Sequence, residues 1–358
     1  MTSKARVILV GVGNAASALV QSLKYYSERK SGHNLKYETI GGLRINDIEI
    51  VSAFDVIEGK VGHDLADAIF AEPNVAPRLL EFNKPLGIEV KKGPLADGIS
   101  PMLAETIQIS PEPDVNLVEE MKEAKADMVV SLLPSGAKEA TYSYADAAIK
   151  ADLAFIEAAP IRICSDDKWV RKFKKSNLPV VGDDLQSQLG GTRIHKGILE
   201  MLNSFGATIR NTYQLDVSGG SEGMNTLYTD RRMEKRKIKT DSIKRTLPYL
   251  TEDDIASGTT DYLDFLGNER TGYFWIYGFL PILNSPFKID ITIKTLDGPN
   301  AAGTLVNVIR ATKLALNRGI DGPLISISAY GFKFPPVYVG EQDSVKRFEE
   351  FIAGDRAN

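Results

Sequence analysis

The sequence predicts an α/β fold in which a doubly wound parallel sheet carries an inserted α+β domain. Up to about residue 200, short apolar segments alternate with helical ones, which is typical of a parallel sheet covered by helices. Beyond that point, polar and apolar residues alternate strictly, as in Phe287–Thr295. This second pattern indicates an antiparallel sheet with one exposed or interface-facing side. The predicted domains are 1–200, completed by about 318–358, and an inserted domain over 201–317.

The first element is a strand that runs into a glycine turn and a helix. Gly11 lets the chain turn sharply, Gly13 lets backbone amides approach a pyrophosphate, and Ala16 lets helix and strand pack closely. A second apolar strand, Ile48–Phe54, ends in Asp55, an acid placed to accept hydrogen bonds from ribose hydroxyls and to favour NAD over NADP. The pattern predicts a Rossmann-like dinucleotide site. The alternative is an ordinary glycine turn in an α/β protein.

Asp55 lies further along the chain than the usual twenty or so residues after the glycine turn. The segment Tyr25–Asp47, which contains two glycine-bearing turn signals, is therefore predicted to be an insertion.

The remaining elements follow from hydrophobic periodicity and turn residues. Helices are predicted over Lys60–Phe70, Val118–Lys125, Tyr142–Lys150, Trp169–Lys175, Thr304–Leu316 and Ser344–Ile352. Strands are predicted over Asp127–Leu133, Leu153–Ala158, Val180–Val181, Thr208–Val217, Phe287–Thr295 and Ile325–Tyr330. Pro134-Ser135-Gly136 ends one strand at the sheet edge where α/β proteins bind ligands.

Composition excludes several classes of function. The 358 residues are 43% hydrophobic with a net charge of −4, so they can form a sizeable core, and overall charge gives no support for a nucleic-acid or membrane-surface role. The single cysteine, Cys164, cannot form an intrachain disulfide, and the three histidines have no metal-ligand spacing. No apolar run approaches the length of a membrane span. We expect a cytoplasmic protein without a metal site.

Three lysines stand out as candidate catalytic groups. Lys235 and Lys239 are four residues apart in the basic segment 231–245, so on a helix they share one face, lower each other's proton affinity and attract an anion. A solvated helix face, or a nucleic-acid-binding helix, is the alternative. Lys333 lies between Phe332 and Phe334, where desolvation favours proton exchange, unless its side chain extends to the surface.

Two acidic turns are further candidates. Asp183-Asp184 follows a short strand and could hold a cation or a ribose, or cap a helix. Asp297-Gly298-Pro299-Asn300 has the composition of a turn, with Asn300 as the N-cap of the next helix.

These segments together resemble the myo-inositol-1-phosphate synthase family, in its short prokaryotic form, over almost the whole chain. The resemblance is carried by Val10–Asn14, Ala53–Val56, Lys60–Leu65, Gly93–Gly98, Gly182–Asp184, the basic segment, Asp297–Asn300 and Ser328–Lys333. It implies an enzyme of inositol biosynthesis that holds NAD and cyclises D-glucose 6-phosphate to 1D-myo-inositol 3-phosphate. Oxidation at C5, enolisation, intramolecular aldol closure and re-reduction leave no net redox change. The second face of the amphipathic sheet needs covering, which predicts a homo-oligomer, a tetramer or a dimer, with the tetramer favoured. A requirement for a divalent or monovalent cation stays open.

Site residues follow from the resemblance position by position. The implied catalytic residues are Lys235, Lys239, Lys333, Asp297 and Arg270. The implied cofactor-binding residues are Gly11, Gly13, Asn14, Ala15, Asp55, Ser131, Pro134, Asp184, Ser187 and Asp297. The implied phosphate-binding residues are Ser221, Asn225 and Lys235.

Four positions depart from the family pattern. Gln186 and Arg270 stand where the family has lysines, and Ser221 and Glu157 stand where asparagine is usual. Arginine keeps a charge but cannot readily exchange a proton. Two other interpretations therefore stay open: an NAD-dependent enzyme of a different phosphorylated sugar, including a plain oxidoreductase, and a catalytically impaired NAD-binding homologue.

Overall fold

The computed structural model describes residues 4–29, 35–99, 104–105, 107–220, 223–224 and 229–358. A parallel sheet is formed by β1 (Ala5–Val10), β2 (Ile48–Asp55), β3 (Val90–Lys92), β4 (Met128–Ser131), β5 (Ala154–Glu157), β6 (Pro179–Val181) and β11 (Gly322–Pro323). A second sheet is formed by β7 (Thr208–Ser218), β8 (Ile255–Tyr262), β9 (Glu269–Leu280) and β10 (Ser285–Leu296). The helices are α1 (Asn14–Ser27), α2 (Leu65–Ala68), α3 (Leu117–Glu123), α4 (Lys138–Lys150), α5 (Asp167–Lys175), α6 (Gly191–Ser204), α7 (Thr229–Thr246), α8 (Asp297–Asn317), α9 (Ile325–Gly331) and α10 (Glu341–Ala353).

The parallel sheet has the order β3-β2-β1-β4-β5-β6-β11. The chain builds outward from β1 to β3, then returns to the other side of β1 with β4, so the strand order reverses between β1 and β4. In open α/β sheets, the crevice at this reversal is where ligands bind. The predicted doubly wound fold is confirmed, and the edge at which such folds bind ligands lies at the ends of β1 and β4.

Both faces of the parallel sheet are buried, because successive residues of β1 point to opposite sides. Val7 and Leu9 belong to a core that includes residues of α1 and α8, whereas Ile8 and Val10 belong to a core on the opposite face with Phe155. Helix α8 starts at the end of β10 and packs along α1. The second sheet thus leads into a helix that packs against α1, the helix that follows the glycine turn.

The second sheet is mixed, so the prediction of an antiparallel sheet is wrong for one strand pair. β9 pairs with β7 and β10 in antiparallel fashion, but β8 runs parallel to β7. A parallel neighbour requires a crossover connection, and α7 lies in the segment that joins β7 to β8. A separate core between this sheet and the helices α6 and α7 includes Leu199, Ile209, Ile243 and Ile276. Along β10 both faces remain at least partly exposed, and the homo-oligomer stays a prediction.

Three local predictions are wrong. The segment Lys60–Phe70 is mostly a turn followed by the four-residue α2, because Gly62 has a φ of +78° and Asp64 starts the helix as its N-cap. Ile325–Tyr330 is a helix, since burial on all sides overrides the strand-like alternation of isoleucine and serine. Asn300 is not an N-cap: α8 begins earlier, after Leu296.

Within the segment Tyr25–Asp47, α1 extends to Ser27, and the described residues 35–47 are irregular apart from a short 3-10 helix at Ile45–Asp47 before β2; the insertion stays a prediction. The guanidinium of Arg310, which is fully buried, donates hydrogen bonds to the carbonyl oxygens of Tyr37 and Glu38, both at 3.1 Å.

None of the helices in the described ranges is both long and apolar enough to cross a membrane. The domain division at residues 200 and 317 stays a prediction.

Candidate active site

The glycine turn has the geometry that its sequence predicts. Gly11 has a φ of +88°, and a Cβ at this position would lie 2.8 Å from the carbonyl oxygen of Leu132. Gly13 is the N-cap of α1, no side chain caps the helix there, and a Cβ on Gly13 would meet nothing within 4 Å. A helix N-terminus with uncapped backbone amides and open space is a suitable site for a phosphate or pyrophosphate.

Asp55 lies beside this turn, at the end of β2. Its Oδ2 accepts a hydrogen bond from the backbone amide of Val12 at 2.7 Å, and its Oδ1 accepts from the amides of Val56 and Ile57 at 2.7 and 3.1 Å. The carboxylate is therefore held rigidly against the glycine turn. Its position at the strand end is the one that dinucleotide folds use for the ribose.

A cavity of about 340 Å³ lies at this edge of the sheet, within the size range of small-molecule sites. Its wall contains residues of both sheets and of the first turn of α8. Most of the predicted site residues line it, namely Gly11, Gly13, Asn14, Ala15, Asp55, Pro134, Asp184, Ser187, Lys239, Arg270, Asp297 and Lys333. The structure therefore brings the glycine turn and the candidate catalytic cations together.

Lys239 reaches the cavity from α7 and forms an ion pair with Asp216 of β7, and both side chains are buried. Arg270 binds Asp297 with its Nε 2.8 and 2.7 Å from the two carboxylate oxygens, and its Nη1 lies 3.9 Å from Asp216. Burial by itself would raise the pKa of Asp216, but Lys239 and Arg270 outweigh it and hold that pKa below its ordinary value. The result is a fixed group of two cations and two carboxylates on one wall of the cavity.

Lys333 reaches the cavity from the segment that follows α9. Its Nζ lies 2.6 Å from Oδ1 of Asp184, and its backbone amide donates to the carbonyl oxygen of Asp184 at 2.8 Å. The side chain is 19% exposed, so it does not extend into bulk solvent, and it lines the cavity. Asp184 pairs with this lysine and caps none of the helices in the described ranges, while Asp183 accepts hydrogen bonds from the backbone amides of Cys164 and Ser165.

Four predicted residues are not placed at the cavity wall by the structure. Ser131 is fully buried at the end of β4, and its hydroxyl lies 3.3 Å from Glu157. Lys235 belongs to α7, one turn before Lys239, but its side chain is outside the described part of the structure, as are residues Ser221 and Asn225.

Several cavity residues were not predicted from the sequence. Lys60, Asn74, Gln214, Asp216 and Asn268 all line the cavity. Asp216 could have been found, because the alternation along Thr208–Val217 places it on the same face as the buried Gln214. Asn268 carries no such signal; it accepts a hydrogen bond from the amide of Gly298 at 2.9 Å and fixes the start of α8.

Across the described residues, no cluster of three or more histidine, cysteine, aspartate or glutamate side chains has the arrangement of a metal site. The choice between no metal and a bound divalent or monovalent cation stays a prediction.

Comparison with known proteins identifies the family. Residues 190–298 match the family model for myo-inositol-1-phosphate synthase. Inositol-3-phosphate synthase from Mycobacterium tuberculosis is 36% identical over 358 residues, which cover 99% of this chain and 97% of the relative. The chain belongs to the myo-inositol-1-phosphate synthase family.

Two solved structures are similar to this chain over nearly its whole length. The crystal structure of Ari2 is 28% identical and superimposes with a TM-score of 0.78 over 98% of this chain and 99% of that chain. A myo-inositol-1-phosphate synthase-related protein from Thermotoga maritima, at 21% identity, has a TM-score of 0.82 over 98% of both chains and supports the fold.

Two of the departures from the pattern of the myo-inositol-1-phosphate synthase family lie in buried positions. The amide of Gln186 donates to both carboxylate oxygens of Glu341, at 3.0 and 3.1 Å, and the same carboxylate pairs with Lys196 of α6. Glu157 is fully buried, and desolvation, with Asp183 adding to it, raises its pKa well above the ordinary value. The raised pKa favours the uncharged form of Glu157, which resembles asparagine in charge, although its side chain is one methylene longer.

Proposed function

We propose that this protein cyclises D-glucose 6-phosphate to 1D-myo-inositol 3-phosphate with a bound NAD that is regenerated in each turnover. One observation carries the proposal: Lys239 and Lys333 line the same cavity as Gly11 and Gly13. Membership of the myo-inositol-1-phosphate synthase family supports the same reaction, and so does the 36% identical relative with that name.

The residues present fit a dinucleotide. Gly11, Gly13, Asn14 and Ala15 would hold the pyrophosphate at the N-terminus of α1, and Asp55 would bind a ribose. We assign Pro134, Asp184, Ser187 and Asp297 to the rest of the cofactor site, and Ser131 to support behind its wall. Bound NAD supplies a hydride acceptor, and later a hydride donor, for C5 of the sugar.

The protein's own contribution is to stabilise negative charge on the sugar oxygens. Oxidation, enolisation and ring closure each develop charge on a ketone or alkoxide oxygen beside a phosphate dianion, so fixed cations lower the barriers. Lys239 is assigned to the C5 oxygen, where its pairing with Asp216 fixes the ammonium in place. Lys333, held by Asp184, is assigned to the C1 end.

Arg270 and the basic helix complete the proposal. Arg270 keeps positive charge beside Asp216 and Asp297 but does not exchange protons, so the proton transfers fall to the lysines. Lys235, with Ser221 and Asn225, is assigned to the substrate phosphate, because Lys235 lies one turn from Lys239 on α7.

The test is to incubate the purified protein with glucose 6-phosphate, without added NAD, and to follow the products by phosphorus NMR together with NADH absorbance. We expect inositol phosphate to form while NADH stays flat. Net accumulation of NADH with added NAD would instead indicate a plain oxidoreductase, and no product in either case would indicate a catalytically impaired homologue. Lys237→Met is a matched control for Lys239→Met, because Lys237 is an exposed lysine on the same helix.

A further inference from the structure

Lys60 is a buried lysine that the assigned chemistry does not use. Its side chain is 2% exposed and lies beneath the glycine turn. The ammonium donates hydrogen bonds to the carbonyl oxygen of Val12, at 2.8 Å, and to Oδ1 of Asn74, at 3.0 Å. Asn74 in turn donates to the same Val12 oxygen at 2.9 Å. Burying an ammonium group costs free energy unless the charge is paired and fully hydrogen-bonded. The burial of Lys60 therefore calls for an explanation.

The hydrogen-bonding capacity of Lys60 and Asp55 is not used up by their contacts within the described chain. The ammonium has three donors, and among the described residues it donates hydrogen bonds to two acceptors, the carbonyl oxygen of Val12 and Oδ1 of Asn74. The carboxylate can accept about four hydrogen bonds, and three backbone amides, of Val12, Val56 and Ile57, donate to it. Nζ of Lys60 and Oδ2 of Asp55 are 3.8 Å apart, close enough for electrostatic attraction but too far for a hydrogen bond. One donor and one acceptor therefore lie side by side at the cavity wall.

We propose that Lys60 and Asp55 together bind a ribose hydroxyl of the dinucleotide, with Lys60 donating a hydrogen bond to the hydroxyl oxygen and Asp55 accepting a hydrogen bond from the hydroxyl group. This inference rests on the proposed function, because it takes NAD as the cofactor. A hydroxyl group is both donor and acceptor, and an oxygen at ordinary hydrogen-bond distance, about 2.8 Å, from both atoms spans the gap between them.

The charge of Lys60 also bears on the choice between NAD and NADP. An unpaired carboxylate at the strand end repels the 2′-phosphate of NADP, which is the usual basis for NAD preference. Here a fixed cation lies 3.8 Å from that carboxylate and offsets its charge. Lys60 therefore weakens the discrimination against NADP that Asp55 would exert alone.

The test is calorimetric titration of the whole protein, freed of any bound nucleotide, with NAD and, separately, with NADP, for the unaltered chain, Lys60→Met and Lys60→Gln. Loss of a hydrogen bond from a charged donor is expected to weaken NAD binding about tenfold. NADP binding is expected to weaken about tenfold more than that, because the charged 2′-phosphate would then face the carboxylate of Asp55 without the offsetting charge of Lys60. Lys60→Gln keeps a donor for the carbonyl of Val12 but removes the charge, so it should shift the ratio of NADP to NAD affinity in the same direction.

Lys92→Met is the matched control. Lys92 is similarly buried, with 8% side-chain exposure, and its ammonium contacts Asp114 at 3.0 Å outside the cavity wall. Its replacement should lower the melting temperature without changing the ratio of the two affinities. If both Lys60 variants lose NAD affinity and NADP affinity by the same factor, the ratio of the two affinities is unchanged. This result would show that Lys60 only supports the turn and would overturn the proposal.

The two proposals fail in different ways. If the unaltered protein binds NAD but forms no inositol phosphate, the proposed reaction fails and the role of Lys60 is still decided by the titrations. If it binds neither dinucleotide, both proposals are refuted.

Discussion

Replacing Lys239 by methionine tests the central electrostatic claim. Methionine keeps the length and apolar volume of the lysine stem but removes the ammonium that pairs with Asp216. The loss of a cation fixed beside a developing oxyanion, together with loss of its proton transfer, should lower kcat at least about a hundredfold. Because the effect is on charge that develops during the reaction, KM for glucose 6-phosphate should change much less.

The same change also affects stability, and the structure gives the size. Removing one partner of a buried ion pair leaves an uncompensated charge, which typically costs roughly 3–5 kcal/mol. Arg270 still lies 3.9 Å from Asp216 and the amide of Gln214 lies 3.3 Å from it, so we expect the lower end of this range. The free energy of unfolding, from denaturant titration, measures this loss.

A double variant separates stability from chemistry. Lys239→Met combined with Asp216→Asn removes both charges, so the free energy of unfolding should recover most of the loss while kcat stays low. Phosphorus NMR measures the turnover of each variant, and Lys237→Met provides the exposed-lysine control. A folded Lys239→Met protein that cyclises glucose 6-phosphate within threefold of the unaltered rate would refute the assignment of Lys239.

Three further predictions follow from backbone geometry and burial. Gly11→Ala should lower the free energy of unfolding by about 1–3 kcal/mol, because of its positive φ and the 2.8 Å approach to Leu132, whereas Gly13→Ala should weaken NAD binding with little change in unfolding. Burial raises the pKa of Glu157 in the folded state, so its contribution to stability is present at low pH and is lost as pH rises through the folded value. In Glu157→Gln, the free energy of unfolding measured at increasing pH should fall less steeply. Burial lowers the pKa of His195 from 6.5 to about 4, so the free energy of unfolding should fall as pH decreases between these values. His195→Gln should remove that part of the pH dependence. If the slope of the free energy of unfolding against pH is unchanged in this variant, His195 is not its source.

Much of the parallel-sheet domain was predictable because its signals are local. The run of apolar residues before Gly11 and the acid after the second strand depend only on neighbours in the chain, and the structure has both elements at the expected positions. The candidate cations could be selected by residue type and spacing, and Lys239 and Lys333 do line one cavity.

The predictions that were wrong concern features that depend on residues far apart in the chain. Ile325–Tyr330 alternates like a strand but is a helix, because packing on all sides decides its conformation. The parallel pairing of β8 with β7 depends on where α7 returns the chain, and no local pattern records that path. Lys60 was assigned to a helix, and its burial beneath the glycine turn depends on Asn74 and Val12 folding onto it.

The sequence alone determined that this chain turns at Gly11 and Gly13 and that an acid ends the second strand. It also determined that the segments carrying the candidate lysines resemble those of a known enzyme family. Only the tertiary structure decided which carboxylate each cation faces: Asp216 for Lys239, Asp184 for Lys333, and Asp297 for Arg270. The reason is physical. Backbone conformation is set largely by adjacent residues, whereas the charge state and position of a buried ion depend on partners that lie 23 to 149 residues away in the chain.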